Sequence, residues 1–150
     1  MSVQVRLDNT NLPLVLFGMA VAVSNGVLLQ NAGRSGDLVC GTVMAKVSAS
    51  GKWVPLTNLA ATDGGATAQG VYIGPDIAEA DIVAGDVTDL PIIVGDAGID
   101  VQQLVLENSL TLDSVFAPTT IHSCTVRDQL ARRGIFAEET TYISDFSYSA

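Results

Sequence analysis

Short apolar runs separated by turn residues are the dominant pattern of this chain from Asp37 onward. The runs occupy residues 38–47, 52–56, 69–73 and 89–94. A stretch rich in Gly, Ser, Asn or Asp follows each of them, which is typical of strands that end in turns. Only Ser48–Gly51 separates the first two runs, so these two predict a β-hairpin. The chain is therefore predicted to be mainly β.

Single residues refine this pattern. Gly41, inside the first run, predicts a bulge or a close backbone approach, and Pro91 favours an edge strand or a strand start for the last run. Residues Pro75–Ala84 are small and acidic and are compatible with a short helical turn. The periodicity of Ile99–Leu106 fits a strand and a short helix equally well, so both interpretations stay open.

One helix is predicted near the C-terminus, beginning after Thr125. Thr125 and Asp128 have the spacing of a capping box, with Asp in place of the usual Glu. Gly134 stands where the end of a helix favours glycine, and Arg132 and Arg133 suit the dipole of the last turn. The predicted fold class is thus mainly β with a short C-terminal α-helix (α+β), a compact β-rich core carrying an extended N-terminal arm.

The first residues of the chain alternate between apolar and polar side chains. The apolar face is formed by Val3, Val5 and Leu7, and the polar face includes Gln4 and Arg6. This period of two predicts a strand with one buried face. At a chain terminus, such a strand either pairs within its own domain or adds to the sheet edge of another protein.

Further apolar residues follow the arm. Leu12–Phe17 and Ala20–Val23 are predicted strands interrupted near Gly18, and Ser24–Gly26 is predicted to be a tight turn. The whole stretch Leu12–Val23 is too short for a membrane span, which needs about 20 residues, and no basic region precedes it. It is interpreted as a buried strand pair or a docking segment.

Composition fits one domain with an aliphatic core. The chain has 150 residues, of which 48% are hydrophobic and only 5% are aromatic, so Val, Leu, Ile and Ala must form most of the core. A boundary near Arg34–Gly36 separates an N-terminal arm region with accessory strands, residues 1–35, from a β-rich core, residues 36–136. Residues 137–150 form a C-terminal tail. The boundary need not separate two domains.

The charge of the chain excludes two classes of partner. Sixteen acidic and seven basic residues give a net charge of −9, and the basic residues form no long run. Affinity for nucleic acid comes largely from positive charges that release counterions from phosphates, and anionic membranes also attract basic segments. Neither nucleic acid nor a membrane is therefore expected as a partner.

Candidate chemistry is sparse. The single histidine, His122, lies two residues before Cys124, and a thiol nucleophile needs a nearby base. No ligand set accompanies them that would complete a zinc site, so a structural His122 and a buried Cys124 are favoured. Cys40 and Cys124 are expected to be reduced, with a single bridge between them as the less favoured alternative. No catalytic residue, metal or cofactor is predicted, and the chain is not expected to be an enzyme.

Five short motifs follow one another between residues 36 and 136. They are Gly36–Val43 (GDLVCGTV), Lys52–Pro55 (KWVP), Asp63–Val71 (DGGATAQGV), Val83–Val94 (VAGDVTDLPIIV) and Thr125–Ile135 (TVRDQLARRGI). In this order and spacing, the motifs resemble those of the head decoration (cement) proteins of lambda-type tailed bacteriophages.

The resemblance implies a mainly β homotrimer on the outer surface of the virion. It implies a structural protein that binds the expanded phage head and bridges neighbouring major capsid proteins. In that family the N-terminal arm adds a strand to capsid-protein segments, so the implied capsid-binding residues are Val3, Gln4, Val5, Arg6 and Leu7. Two alternatives stay open: another β-rich virion or tail structural protein, and a small thiol enzyme that uses Cys124 and His122.

Overall fold

The computed structural model describes residues 15–17, 21–115 and 124–138. Its strands are β1 Val15–Phe17, β2 Ala22–Leu28, β3 Val43–Lys46, β4 Trp53–Pro55, β5 Ala68–Tyr72, β6 Val87–Gly95, β7 Ala97–Asp100 and β8 Ile135–Glu138. Its helices are α1 Glu79–Ala84, a 3₁₀ turn at Val101–Gln103, and α2 Val126–Arg132. The prediction of a mainly β fold with a short C-terminal α-helix is confirmed.

Five strands close into a barrel in the order β2-β4-β3-β5-β6. The predicted hairpin lies at its centre, where β3 and β4 pair antiparallel with Lys46 opposite Trp53. β5 pairs antiparallel with β3 and β6, and β6 pairs antiparallel with β2. A single parallel contact, Leu28 with Trp53, joins β2 to β4 and closes the barrel. One strand of the predicted arm region, β2, is thus part of the barrel wall.

The other three strands form a second sheet, named here the small sheet, in the order β1-β7-β8. Only Asp96 separates β6 from β7, so the chain passes directly from the barrel into the small sheet. β1 is antiparallel to β7, and β8, which follows α2, is parallel to it. Ile99–Leu106 contains the end of β7 and the 3₁₀ turn, so both interpretations of that segment apply in part.

Two apolar clusters lie on opposite faces of the barrel wall. The first takes residues from all five barrel strands, and its members are Leu28, Leu38, Met44, Trp53, Tyr72, Ile82, Leu90 and Ile92. The second joins the barrel to the small sheet and α2, and it includes Val43, Ala45, Ala68, Val71, Ile93, Ile99, Val126, Leu130 and Ile135. Successive strand residues point to opposite faces, which divides β3 between the clusters. The described buried members of the second cluster are all aliphatic, as the composition predicted.

The N-terminus of α2 has the predicted capping box. The hydroxyl of Thr125 accepts a hydrogen bond from the backbone N–H of Asp128 at 3.2 Å. The Asp128 carboxylate in turn accepts one from the backbone N–H of Thr125 at 3.1 Å. Gly134 follows the helix with φ of +78°, a left-handed conformation that favours glycine. Both predicted helix ends are confirmed.

The predicted tight turn at Ser24–Gly26 is wrong. These residues lie inside β2, where Ser24 is opposite Ile92 and Gly26 is opposite Leu90. A Cβ atom on Gly26 would lie 2.3 Å from Cδ1 of Trp53. The glycine is therefore explained by the indole that packs against the strand, and not by a turn.

Pro91 also departs from its prediction, because it lies in the middle of β6 and not at a strand start or in an edge strand. Its carbonyl accepts a hydrogen bond from the N–H of Ile73, the residue just beyond β5. The N and C=O of a strand residue point to the same side, so the N–H that Pro91 lacks would face the end of β5. The sheet tolerates the proline there because the ladder is ending.

The strand predicted for the first apolar run is shorter than the run. It begins at Val43, and Leu38 instead forms an isolated bridge with Ile77. Gly41 has φ of +94°, and its backbone hydrogen-bonds the carbonyl of Tyr72 and the N–H of Val105. The positive φ accounts for the glycine, and the predicted bulge or close backbone approach stays a prediction.

Candidate interaction surface

At one end of the small sheet, one residue from each of the three strands lies in the same row. Ile99 of β7 lies opposite Val15 of β1 on one side and opposite Ala137 of β8 on the other. Because β1 is antiparallel and β8 is parallel to β7, the first residue of β1 and the last residues of β8 share this end. It is named here the terminal end of the small sheet.

Both terminal segments of the chain are attached at the terminal end. Residues 1–14 precede Val15, and residues 139–150 follow Glu138. Neighbouring strands are about 4.8 Å apart, so the two points of attachment are separated by about 10 Å across β7. The arm predicted to bind a partner and the C-terminal tail therefore begin on the same part of the body.

Apolar side chains are exposed near the terminal end. Phe136 of β8 is 45% exposed and Val115 is 48% exposed. Val115 forms an antiparallel bridge with Thr125, the N-cap of α2. Single exposed apolar residues are common, but Phe136 stands in the strand that leads into the C-terminal tail, and Val115 is bridged to the start of α2, the helix before that strand.

Arg127 connects α2 to the edge of the small sheet. Its Nη1 donates a hydrogen bond to the carbonyl oxygen of Ala137 at 3.3 Å, and its Nε lies 4.0 Å from the carboxylate of Asp113. A charged side chain on an edge strand hinders the addition of a foreign strand. The edge of β8 is therefore partly protected against strand addition, although it borders the exposed Phe136.

The sequence did not single out Phe136 or Val115. Each stands in a short apolar context, and their exposure depends on how α2 and β8 pack, so no local signal distinguishes them from core residues. The predicted capsid-binding residues Val3, Gln4, Val5, Arg6 and Leu7 lie outside the described residues, and their role stays a prediction.

Of the two residues of the alternative thiol site, Cys124 is the one that the structure describes. Cys124 is only 6% exposed, and its Sγ lies 3.7 Å from the carbonyl oxygen of Thr125. His122 lies outside the described residues. A buried thiol that contacts a backbone carbonyl is poorly placed to attack a substrate.

Cys40 and Cys124 are both free thiols, and Cys40 is exposed. Desolvation of the Cys40 thiol, followed by the negative charge of Asp76, raises its pKa. A thiol with a raised pKa is protonated near neutral pH and is a weak nucleophile. No disulfide joins Cys40 to Cys124 in the structure, and their reduced state stays a prediction.

Several residues of the five motifs have packing roles. A Cβ on Gly64 would lie 2.6 Å from the carbonyl oxygen of Lys46, and a Cβ on Gly70 would lie 2.5 Å from Cγ2 of Ile92. Gln129 is buried, and its side-chain oxygen accepts a hydrogen bond from the N–H of Ala68 at 2.8 Å. These three motif residues therefore support the fold.

A groove of about 410 Å³ lies between the loop after β2, β4 and α1. Its cation, Arg34, is bound by the carboxylate of Glu107 and donates to the carbonyl oxygens of Gly36 and Asp37, each at 3.0 Å. The hydrogen bond with Glu107 raises the pKa of Arg34. The described lining of the groove thus offers no unpaired positive charge to an anionic ligand.

Within the described ranges, no group of three or more His, Cys, Asp or Glu residues is placed to hold a metal ion. A helix of the length and apolarity needed to cross a membrane is also absent from that part of the chain. No match to this chain was found among protein-family models, curated proteins or solved structures.

Proposed function

We propose that this chain is a structural virion protein that binds the outside of the expanded phage head as a trimer. It stabilises the capsid by bridging neighbouring major capsid proteins. The observation that carries the proposal is the terminal end of the small sheet. There, the alternating arm and the C-terminal tail are attached about 10 Å apart, beside the exposed Val115 and Phe136.

The ordered motifs supply a second argument. They extend over residues 36–136, and Gly64, Gly70 and Gln129 among them occupy positions that the packing of the barrel requires. These residues serve the scaffold, so the arm is the segment left to select a partner. A structural core that carries a separate binding arm suits a protein that binds by strand addition and performs no reaction.

The physical chemistry of the chain is compatible with this role. With a net charge of −9, the protein is repelled by packaged DNA, and a position outside the shell keeps the two apart. A protein that binds the closed lattice but not its separated subunits shifts the equilibrium toward the lattice. Three arms on one trimer act together, so each contact can be weak.

Binding to purified empty heads tests the proposal. The full chain is expected to bind expanded heads and to leave unexpanded heads largely free. Replacing the apolar face of the arm, in a Val3→Ser/Val5→Ser/Leu7→Ser variant, should weaken binding by about 100-fold or more, because three apolar anchors are lost. Sedimentation of the same samples measures both binding and the expected trimer.

A matched variant, Gln4→Ser/Arg6→Ser, changes the polar face of the same segment. It should retain binding within about tenfold, since rim charges alter affinity less than buried anchors. Unimpaired binding of the apolar-face variant would contradict the arm mechanism. Failure of the full chain to bind any head form, with labelling of a tail or baseplate in electron micrographs, would favour another virion structural role.

A further inference from the structure

The first half of β2 has one paired edge and one open edge. Ala22 is opposite Gly95, and Asn25 is opposite Pro91, so β6 pairs with this half on one side. On the other side, β4 joins β2 only at Leu28. No other described strand pairs with Ala22–Asn25, which leaves the backbone groups on that side without a strand partner in the described part of the chain.

The open edge of β2 lacks the features that protect edge strands. Charged side chains, prolines and covering elements normally prevent strand addition. Residues 21–28 contain neither charge nor proline, and Val23 is 51% exposed. The edge of β8, by contrast, has its Ala137 carbonyl bound by Arg127. Among the described edges, that of β2 is therefore the better acceptor for an added strand.

The length of the arm is sufficient to reach this edge from its own attachment point. A path from Val15 across to Ile99, along the chain to Gly95, across to Ala22 and one strand spacing beyond it is about 28 Å long. The straight-line separation is shorter than this path. The eight steps from Val15 back to Leu7 extend over about 27 to 29 Å. Backbone hydrogen bonds would join the two strands, and the exposed side chain of Val23 offers a neighbour for the apolar face of Val3–Leu7.

We propose that, in the free protein, Val3–Leu7 adds as a strand to the edge Ala22–Asn25 of its own barrel. A regulatory effect of this pairing rests on the proposed function, in which the same arm residues bind the capsid. The arm cannot pair with both partners, so head binding must first release it from β2. The apparent affinity for the head is then reduced by the fraction of arms that are free.

Amide hydrogen exchange of the free protein tests this proposal without any capsid. In the full chain, the amides of Ala22–Asn25 that point away from β6 are expected to be protected. A Val5→Pro substitution removes a backbone donor from the middle of the arm strand, and it should speed their exchange by about tenfold or more. Asn9→Pro, outside that strand, is the matched control and should leave the protection unchanged.

Each other outcome overturns the proposal. Edge amides that exchange equally fast in the full chain and in the Val5→Pro variant would mean that no strand covers β2. Equal protection in both would mean that something other than the arm covers it. Protection that disappears on dilution would assign the strand to a second copy. Since no head is present, none of these results alters the outcome of the binding test above.

Discussion

The barrel and the small sheet differ in how far the edges of their strands are paired. The barrel closes on itself through the Leu28–Trp53 contact and leaves one edge of Ala22–Asn25 without a described strand partner, and glycines at positions 26 and 70 let side chains and neighbouring strands approach its wall closely. The small sheet stays open at β1 and β8, and both terminal segments are attached at its end. The comparison indicates that the barrel uses most of its strand edges within the fold, whereas the small sheet carries the points from which both terminal segments continue.

The largest expected effect tests the close packing of the barrel. In Gly70→Ala, the new Cβ would lie 2.5 Å from Cγ2 of Ile92 and 2.8 Å from the carbonyl oxygen of Ile93. Because backbone must shift to relieve the second contact, the free energy of unfolding should fall by about 3 kcal/mol. Urea denaturation measures the change.

Gly85→Ala is the control for Gly70→Ala, since no atom lies within 4 Å of its added Cβ and its φ of 177° is extended backbone. Its unfolding free energy should change by no more than about 0.5 kcal/mol. Equal effects of the two substitutions would contradict a tightly packed barrel wall at Gly70.

A second prediction concerns the ion pair that joins the loop after β2 to the segment after the small sheet's β7. The side chains of Arg34 and Glu107 are 9% and 19% exposed. Glu107→Gln would leave a mostly buried guanidinium without its counter-charge, at a cost of about 2 to 3 kcal/mol. The exposed carboxylate of Asp113 supplies the matched control, because Asp113→Asn should cost at most about 0.5 kcal/mol. Similar losses from both would show that burial does not strengthen the Arg34 pair.

Features specified by neighbouring residues could be predicted from the sequence. The hairpin of β3 and β4 depends on the turn Ser48–Gly51, and the capping box depends on Thr125 and Asp128, three residues apart. Both are confirmed. Each element needs only contacts that are close in sequence, so the local pattern contains the information.

Features that depend on distant contacts were missed. Gly26 looks like a turn residue until Trp53 is placed against it. The barrel closes by pairing β2 with β4 and β6, which are far apart in sequence, and no local pattern encodes that pairing. The terminal end of the small sheet likewise follows from the register of Val15, Ile99 and Ala137. The sequence could propose an arm as the binding element, but not where the body holds it.

A third prediction tests how α2 fixes the small sheet to the barrel. The buried side chain of Gln129 accepts a hydrogen bond from the N–H of Ala68 in β5. Gln129→Met keeps most of the volume but leaves this N–H unsatisfied, so the unfolding free energy should fall by about 2 kcal/mol. Gln102→Met, at an exposed position, should be nearly neutral. If the two variants melt alike, the Gln129 hydrogen bond does not contribute to the attachment.

The smallest expected effect lies at the capping box, next to the terminal end. Thr125→Ala removes the acceptor for the N–H of Asp128 and should lower the unfolding free energy by about 1 kcal/mol.

Hydrogen bonds from the backbone and then the side chain of Thr125 lower the pKa of Asp128. A carboxylate whose pKa is lower in the folded state stabilises the fold above its unfolded pKa, near 3.9, and this contribution is lost as the pH falls through the folded value. The stability difference between the parent and Asp128→Asn should therefore be present at pH 6 and shrink below about pH 4, as thermal unfolding across this range can establish. A difference independent of pH would mean that the charge of Asp128 does not act at the cap.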